Sequence, residues 1–521
     1  VLFVYDNWSA YDELSDNVPL TEELTMAQFG ELLRLRRNGV KIDAYLMDAF
    51  WYERDGGYRV WNRQRWPQGP DRWLAACAEH GVTPGLWFPA NTAFHMEPPA
   101  EWADSLAEDG WGFCLFEGGF WPGFLAALEY WYGRGIRLFK FDFADFGAAP
   151  EATKLQMLPS EIRARNIAAY REGLLALRSR CPDALFLGYN GFEEAEFMPW
   201  TDRPIRRVLD PAWLDVFETM YSGDPRPADV PLYDFWRTLD VYADHMVRHL
   251  HARGYPLDRI DNCSFMMGKT GTCYRRGKAG WRSSYLLSLA RGGKVHMMLG
   301  NLEQFDDEDA RWMARVQALY LQAGTPTVVG GLPGKGELYG YQAGRLLTLV
   351  NPSLVEQRFP VGAPLVYVDG SVLIEDGYAV LGSGAVAVFG SASLDSPDVA
   401  TTGLSPVACD WSFSPHACET IFTCPGSEVH LVFEQRDAKG LAVRTSGGAP
   451  PDGASMAGLL RIEAFSGDEV LEVERPDDHI LWSGLSWAYG VVRGLTPGTE
   501  IRVRMSTSDT GVAKMLPSAW A

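Results

Sequence analysis

Long apolar runs are missing from this sequence. No stretch approaches the ~20 residues that a membrane-spanning helix needs. Positive charge is also scarce: 47 Lys and Arg stand against 67 Asp and Glu, a formal net charge of −20. Such a balance repels phosphate backbones and anionic lipid, so neither nucleic acid nor membrane is an expected partner. A neutral or cationic ligand is easier to accommodate. None of the eight cysteines forms a Cys-x-x-Cys pair, so no zinc framework is expected. Cys409, Cys418 and Cys424 cluster near the C-terminus and read as buried thiols, with one disulfide as the alternative. No glycine-rich phosphate loop follows the first apolar run. Ser283 and Ser284 lack a glycine-elbow context. His245, His249 and His251 share one helical stretch without a strand-end partner, so no metal and no cofactor are expected. No signal-peptide pattern stands at Val1, and compartment and oligomeric state are left open.

What the sequence does have is a heavy aromatic load, with 19 Trp, 21 Tyr and 26 Phe. A large core accounts for most of these, and a sugar-stacking surface is the functional alternative. Short apolar runs alternate with helical patterns through about residue 325, as repeated βα units require. The strand candidates are 2–5, 42–47, 83–88, 136–142, 185–190, 215–220, 263–268 and 295–300. Helical patterns include 70–79, 159–180, 232–253, 281–291 and 307–322, and Thr21 followed by Glu22 and Glu23 predicts a capped helix start. Eight strands with intervening helices predict an α/β fold, a (β/α)8 TIM barrel over residues 1–325.

Beyond that point the texture becomes strand and turn. Antiparallel β domains are expected at the C-terminal side: a β-sandwich over 326–392, a linker over 390–404, and a second β-rich domain over 400–521. The last is expected to be carbohydrate-binding or similar to fibronectin type III, with Trp411, Trp482 and Trp487 as its notable aromatics.

In a barrel of this kind the active site lies at the C-terminal ends of the strands. Polar residues there are Asp6-Asn7-Trp8, Asp48, Asn91, then Lys140, Asp142 and Asp145, Tyr189-Asn190, Asp224 and Arg226, Asp261, Asn262 and Lys269, and Asn301 with Glu303. The fourth strand, "RLFKFDFADF" (137–146), sets charge among phenylalanines. Carboxylates with aromatics and amides are the requirements of glycoside cleavage. Lys140 two residues before Asp142 shares its strand face and favours an ionised nucleophile. Asp224, in a polar loop after the sixth strand, suits a general acid. A buried Lys140–Asp142 ion pair that only braces the barrel is the competing reading.

The same segments resemble the α-galactosidase-type clan of retaining glycoside hydrolases, clan D, and family 36 most. "VYDNW" is similar to the first-strand NxW signature, "YLMDAFWY" to DDGWF, and "HGVTPGLWFPAN" to GxxFGLWFEPE. "GIRLFKFDFADF" resembles the KWDMNR nucleophile strand and "MYSGDPRP" the WTSDNTD acid/base segment. "WRSSYLLSLARGGKVHMMLGNL" resembles the stretch leading through strand eight. The resemblance implies Asp142 as nucleophile, Asp224 as acid/base, and Lys140 and Asp48 on sugar hydroxyls. It implies Trp8, Trp51 and Trp87 as apolar walls of the sugar pocket. Asn190 stands where the family's CSSGGGR segment meets the 2-substituent, and Arg226 substitutes for the arginine that supports the acid/base in relatives. Ala49 follows Asp48 where the family pattern has a second aspartate.

The expected activity is that of a retaining exo-acting α-glycosidase, working by double displacement on terminal α-linked galactose-type sugars of an oligosaccharide or glycoconjugate. An α-N-acetylgalactosaminidase or a transglycosylase of the same clan are variants. A non-catalytic carbohydrate-binding protein on a hydrolase barrel is the alternative from another class.

Overall fold

The computed structural model describes residues 1–11, 18–197, 204–223, 235–261, 265–268, 280–353, 355–394, 407–436, 460–474, 487–508 and 514–521. Its first part alternates strands and helices. The strands are β1 (Leu2–Asp6), β2 (Ala44–Met47), β3 (Thr83–Pro89), β4 (Leu138–Asp142), β5 (Leu185–Gly188), β6 (Glu194–Phe197), β7 (Pro204–Val208), β8 (Thr219–Tyr221), β9 (Ile260–Asp261), β10 (Met266–Met267) and β11 (Val295–Gly300). The helices are α1 (Glu22–Arg37), α2 (Asp71–His80), α3 (Phe120–Gly133), α4 (Glu151–Lys154), α5 (Pro159–Arg180), α6 (Phe235–His251), α7 (Trp281–Ala290) and α8 (Asp307–Ala323). Local chemistry sets their ends. The Thr21 hydroxyl accepts from the Leu24 amide (3.2 Å) at the start of α1, with Glu22 and Glu23 in its first turn and arginines in its last. Asp306 and Asp309 form a reciprocal capping box at α8.

Nine strands form one parallel sheet in the order β10-β11-β1-β2-β3-β4-β5-β8-β9. The expected seventh strand, 263–268, is met only by β10 on one edge of the sheet, while β9, just before that span, takes the other edge. Only Asp261 to Met266 connects them, a span of at most about 17 Å. The sheet therefore curls until its edges lie one short segment apart. Across that gap the Lys294 amide, just before β11, donates to the Asp258 carbonyl, just before β9 (2.8 Å). The eight-strand expectation is met as a curled parallel sheet of barrel type, without a hydrogen-bonded closed ring among the described residues. Among the described residues between β5 and β8 stand the antiparallel hairpin β6–β7 and a short 3-10 helix, Pro211–Asp215, in place of an α-helix.

The C-terminal β elements are antiparallel. One five-stranded sheet contains Thr327–Gly330, Tyr339–Ala343, Leu346–Val350, Val386–Phe389 and Leu365–Asp369, and a three-stranded sheet contains Gln357–Pro360, Tyr378–Leu381 and Val372–Glu375. A second pair of sheets lies between Ser412 and Trp520, five- and three-stranded, around its own core of Phe422, Leu431, Phe433, Ile501 and Val503. Residues 395–406, which take in most of the expected linker (390–404), lie outside the described residues, as do Trp482 and the side chain of Trp487. Trp411 is half-buried. Cys409, Cys418 and Cys424 are thiols, and burial pushes Cys409 up to about 11 and Cys418 up to about 12.

The barrel and the first β region share a core that includes Trp312, Tyr339, Tyr341 and Tyr367. A buried polar staple joins them. Asp244 on α6 accepts from Arg291 Nε (2.6 Å), Tyr339 Oη (2.5 Å) and Tyr341 Oη (2.6 Å). Arg248 on the same helix donates to the carbonyls of Val329, Gly331 and Gly340. Removing one member of a buried pair leaves the other charge uncompensated. Asp244→Ala is expected to cost about 3–5 kcal/mol, read as a lowered urea midpoint of near-UV circular dichroism. An unchanged midpoint would contradict the staple.

Candidate active site

Strand β4 answers the question its composition poses. Phe139 and Phe141 point to the helical layer, where Phe141 meets Phe124 and Tyr170, and both meet Phe186. The alternate residues Lys140 and Asp142 point the other way, as the two-residue period of a strand requires. Lys140 Nζ reaches Asp6 Oδ2 at the end of β1 (2.9 Å) and Asp48 Oδ2 just past β2 (2.7 Å). All three side chains are buried. The ammonium also lies 4.3 Å from the ring centre of Tyr189, past the end of β5. Tyr189 stacks on Tyr221 and donates its hydroxyl to Asp261 Oδ2 (2.5 Å). Residues from β1, β2, β4, β5, β8 and β9 are thereby joined in one band across the C-terminal strand ends.

Asp142 stands at the edge of this band. It is 8% exposed, against 0% for Asp6, 3% for Asp48 and 4% for Lys140, so it is the carboxylate of the group that faces outward most. Its Oδ2 accepts from Trp87 Nε1 (3.2 Å), and its Oδ1 accepts from the amides of Phe143 (2.9 Å) and Asn190 (3.0 Å). Both oxygens thus act as acceptors, as in an ionised carboxylate. Asp145 has a different task. Its backbone is clamped by the Asn91 side chain, which donates to the Asp145 carbonyl and accepts from the Asp145 amide (2.7 Å each). Its own carboxylate takes the Gly147 amide (3.0 Å). Asp145 shapes the loop after β4.

The expected site residues divide as follows. Asp48, Lys140, Asp142, Trp87 and Asn190 come together at the strand ends. Trp8 is half-buried and touches the group through its amide, which donates to Asp6 Oδ1 (2.9 Å). Trp51 is fully buried among Trp61, Phe88 and Trp131, with its indole N–H on the Trp87 carbonyl (2.8 Å). Its ring belongs to the layer between sheet and helices, and the expectation that it walls the pocket is corrected. Asp224, Arg226, Asn262 and Lys269 lie outside the described residues. Asp6, Tyr189 and Asp261 carry more of the site than sequence reasoning assigned to them. Their signal was a polar residue ending an apolar strand, which marks position but not convergence. Among the described residues no group of three or more His, Cys, Asp or Glu could hold a metal ion.

One ammonium faces two buried carboxylates, and the balance falls on Asp6. Burial first, then the Asp48 charge, outweigh Lys140 and the Trp8 amide and raise the Asp6 carboxyl from its usual 3.8 to about 8. A carboxyl held protonated in the fold but ionised when unfolded contributes stability that is full below about pH 4. That contribution is lost as pH rises toward about 8. Asp6→Asn cannot ionise, so its stability should fall less than the wild type's between pH 5 and pH 8. Urea midpoints of both proteins at the two pH values check this, and equal slopes would contradict it.

No family model matches the chain, and no curated protein matches it either. Solved structures do. The α-galactosidase from Lactobacillus brevis superposes with a TM-score of 0.51 at 12% identity, covering 76% of this chain and 56% of that one. A GH36 α-galactosidase from Geobacillus stearothermophilus, in complex with 1-deoxygalactonojirimycin, gives a TM-score of 0.49 at 13% identity, over 75% of this chain and 56% of that one. The chain thus spans a little over half the length of these relatives. In fold, it is similar to part of the Lactobacillus brevis α-galactosidase structure.

Proposed function

We propose that this chain is a retaining, exo-acting α-glycosidase that removes terminal α-linked galactose-type sugars from an oligosaccharide or glycoconjugate. The observation that carries the reading is Asp142. It sits at the C-terminal end of β4 with three N–H donors on its oxygens, beside a lysine held by two further carboxylates. The strand order and the shared fold with the Lactobacillus brevis α-galactosidase support the glycosidase class.

In this mechanism Asp142 Oδ attacks the anomeric carbon as the bond to the leaving oxygen breaks. Asp224 gives that oxygen its proton, with Arg226 in the role of its supporting arginine. A water, deprotonated by Asp224, then displaces Asp142 and releases the sugar with its original anomeric configuration. Retention calls for carboxyls about 5–5.5 Å apart. Three fixed N–H donors orient the Asp142 carboxylate for attack, so their part is positioning of the nucleophile. Lys140 and Asp48 meet sugar hydroxyls, Asn190 meets the 2-substituent, Trp8 supplies apolar contact, and Trp87 holds Asp142 through its indole N–H.

A panel of aryl α-glycosides of galactose, N-acetylgalactosamine, glucose and arabinose tests this, with the first product anomer followed by NMR. The expected result is fastest cleavage of the galactoside with a retained α product. Asp142→Ala should lower kcat/KM by on the order of 10³-fold or more. An inverted first product, or activity surviving the substitution, would remove the proposed mechanism.

A further inference from the structure

The segments that follow β1, β2, β3 and β4 each hold a non-glycine residue with left-handed backbone: Ser9 (φ +69°), Phe50 (+72°), His95 (+50°) and Phe143 (+52°). For bulky residues this conformation is strained, and it persists only where the surroundings hold it. Three of the four are aromatic or imidazole rings, and they meet around Phe94. Phe50 stacks on Phe94 (5.8 Å, 14°), His95 stands edge-on to both, Phe143 lies 4.6 Å from Phe94, and Trp111 closes the outer side at 6.0 Å. The loop carrying Phe94 is pinned by Tyr52, whose hydroxyl donates to the Phe94 carbonyl (2.7 Å), and by the Ala93 amide on the Trp111 carbonyl (2.7 Å).

These rings are not core. Trp51 and Trp87 are shut from solvent, whereas Phe50, Phe94 and Phe143 are half-buried, His95 is exposed and Trp111 is 42% exposed. Phe94 and Phe143 pack against Trp87, whose indole holds Asp142. Phe143 follows Asp142 directly, and the Phe94 loop rises from Pro89, the register partner of Asp142. The rings therefore continue from the carboxylate layer outward, one loop layer above it. Partial desolvation of the imidazole, then the Arg54 charge, lower the His95 pKa.

We propose that Phe50, Phe94, His95 and Phe143, with Trp111 at the edge, form a shelf that stacks a second flat ring beyond the reacting sugar. The shared chemistry is an extended C–H or π face, supplied by a neighbouring pyranose or by an aryl group. This inference rests on the glycosidase reading of the same site. Phe50 stands at the glycine of the DDGWF pattern, the residue type that adopts φ > 0 without cost in sterics.

The test uses three sulfur-linked, non-hydrolysed ligands in calorimetric titrations: methyl 1-thio-α-galactoside, its p-nitrophenyl counterpart, and the thio analogue of melibiose. The wild type should bind at least one of the ringed ligands about tenfold tighter than the methyl ligand. Phe50→Gly, and separately His95→Gly, should lower that ratio about five- to tenfold, as expected for loss of ring stacking. The thermal midpoint should hold or rise, because glycine relieves the backbone. The nitrophenyl and melibiose arms tell an aryl partner from a sugar. A wild type with no ring advantage, or a ratio unchanged in both variants, overturns the shelf. A ratio that falls as expected in a protein that turns over no glycoside removes the glycosidase reading and leaves the shelf.

Discussion

Lys140 Nζ lies 2.9 Å from one buried carboxylate and 2.7 Å from another. In a site closed to water, such contacts are strong, and any partner left over is costly. A single cation cannot satisfy two anions there, so Asp6 keeps a proton up to about 8. The geometry at the strand ends follows from this trio. It ties β4 to β1 and β2 across the sheet. It fixes the Lys140 stem, which aligns Asp142 two residues on, and it brings the ammonium under the Tyr189 ring. Tyr189 in turn spans to Asp261 on β9.

The two faces of β4 serve opposite purposes. Its phenylalanines join a continuous aromatic layer with Phe88, Phe124, Tyr170 and Phe186, which is apolar, tightly packed and closed. Rigid packing on that side holds the polar side chains of the other face in place without any contribution from the ligand. A second brace lies below, where Asp244, Arg291 and two tyrosine hydroxyls join the barrel to the neighbouring β-sheet. The polar groups at the strand ends are thus supported by apolar contacts behind and a satisfied ionic cluster at the side.

Much of this was legible in the sequence because the periods are strong. Every expected strand from 2–5 through 295–300 overlaps an observed one, although the seventh is met only by the two residues of β10 and β9 precedes its span. Lys140 and Asp142 were readable because charge inside an apolar strand has few explanations. Trp51 was misplaced because a tryptophan after a strand can turn either way, and here its indole follows the Trp87 carbonyl into the helical layer. Asp6 was visible as a strand end but not as a ligand of Lys140, since the two are 134 positions apart and only the curl of the sheet joins them. The aromatic loops were unreadable for a related reason: positive φ at Phe50, His95 and Phe143 leaves no compositional mark when the residue is not glycine.

In the proposed mechanism an Asp142 oxygen bonds the anomeric carbon to form a covalent glycosyl intermediate. Incubation with 5-fluoro-α-galactosyl fluoride, followed by peptic digestion and mass spectrometry, addresses this directly. The account predicts a single fluoroglycosyl ester on the peptide that contains Asp142, formed in step with loss of activity. An adduct on a different residue, or inactivation without any adduct, would contradict it.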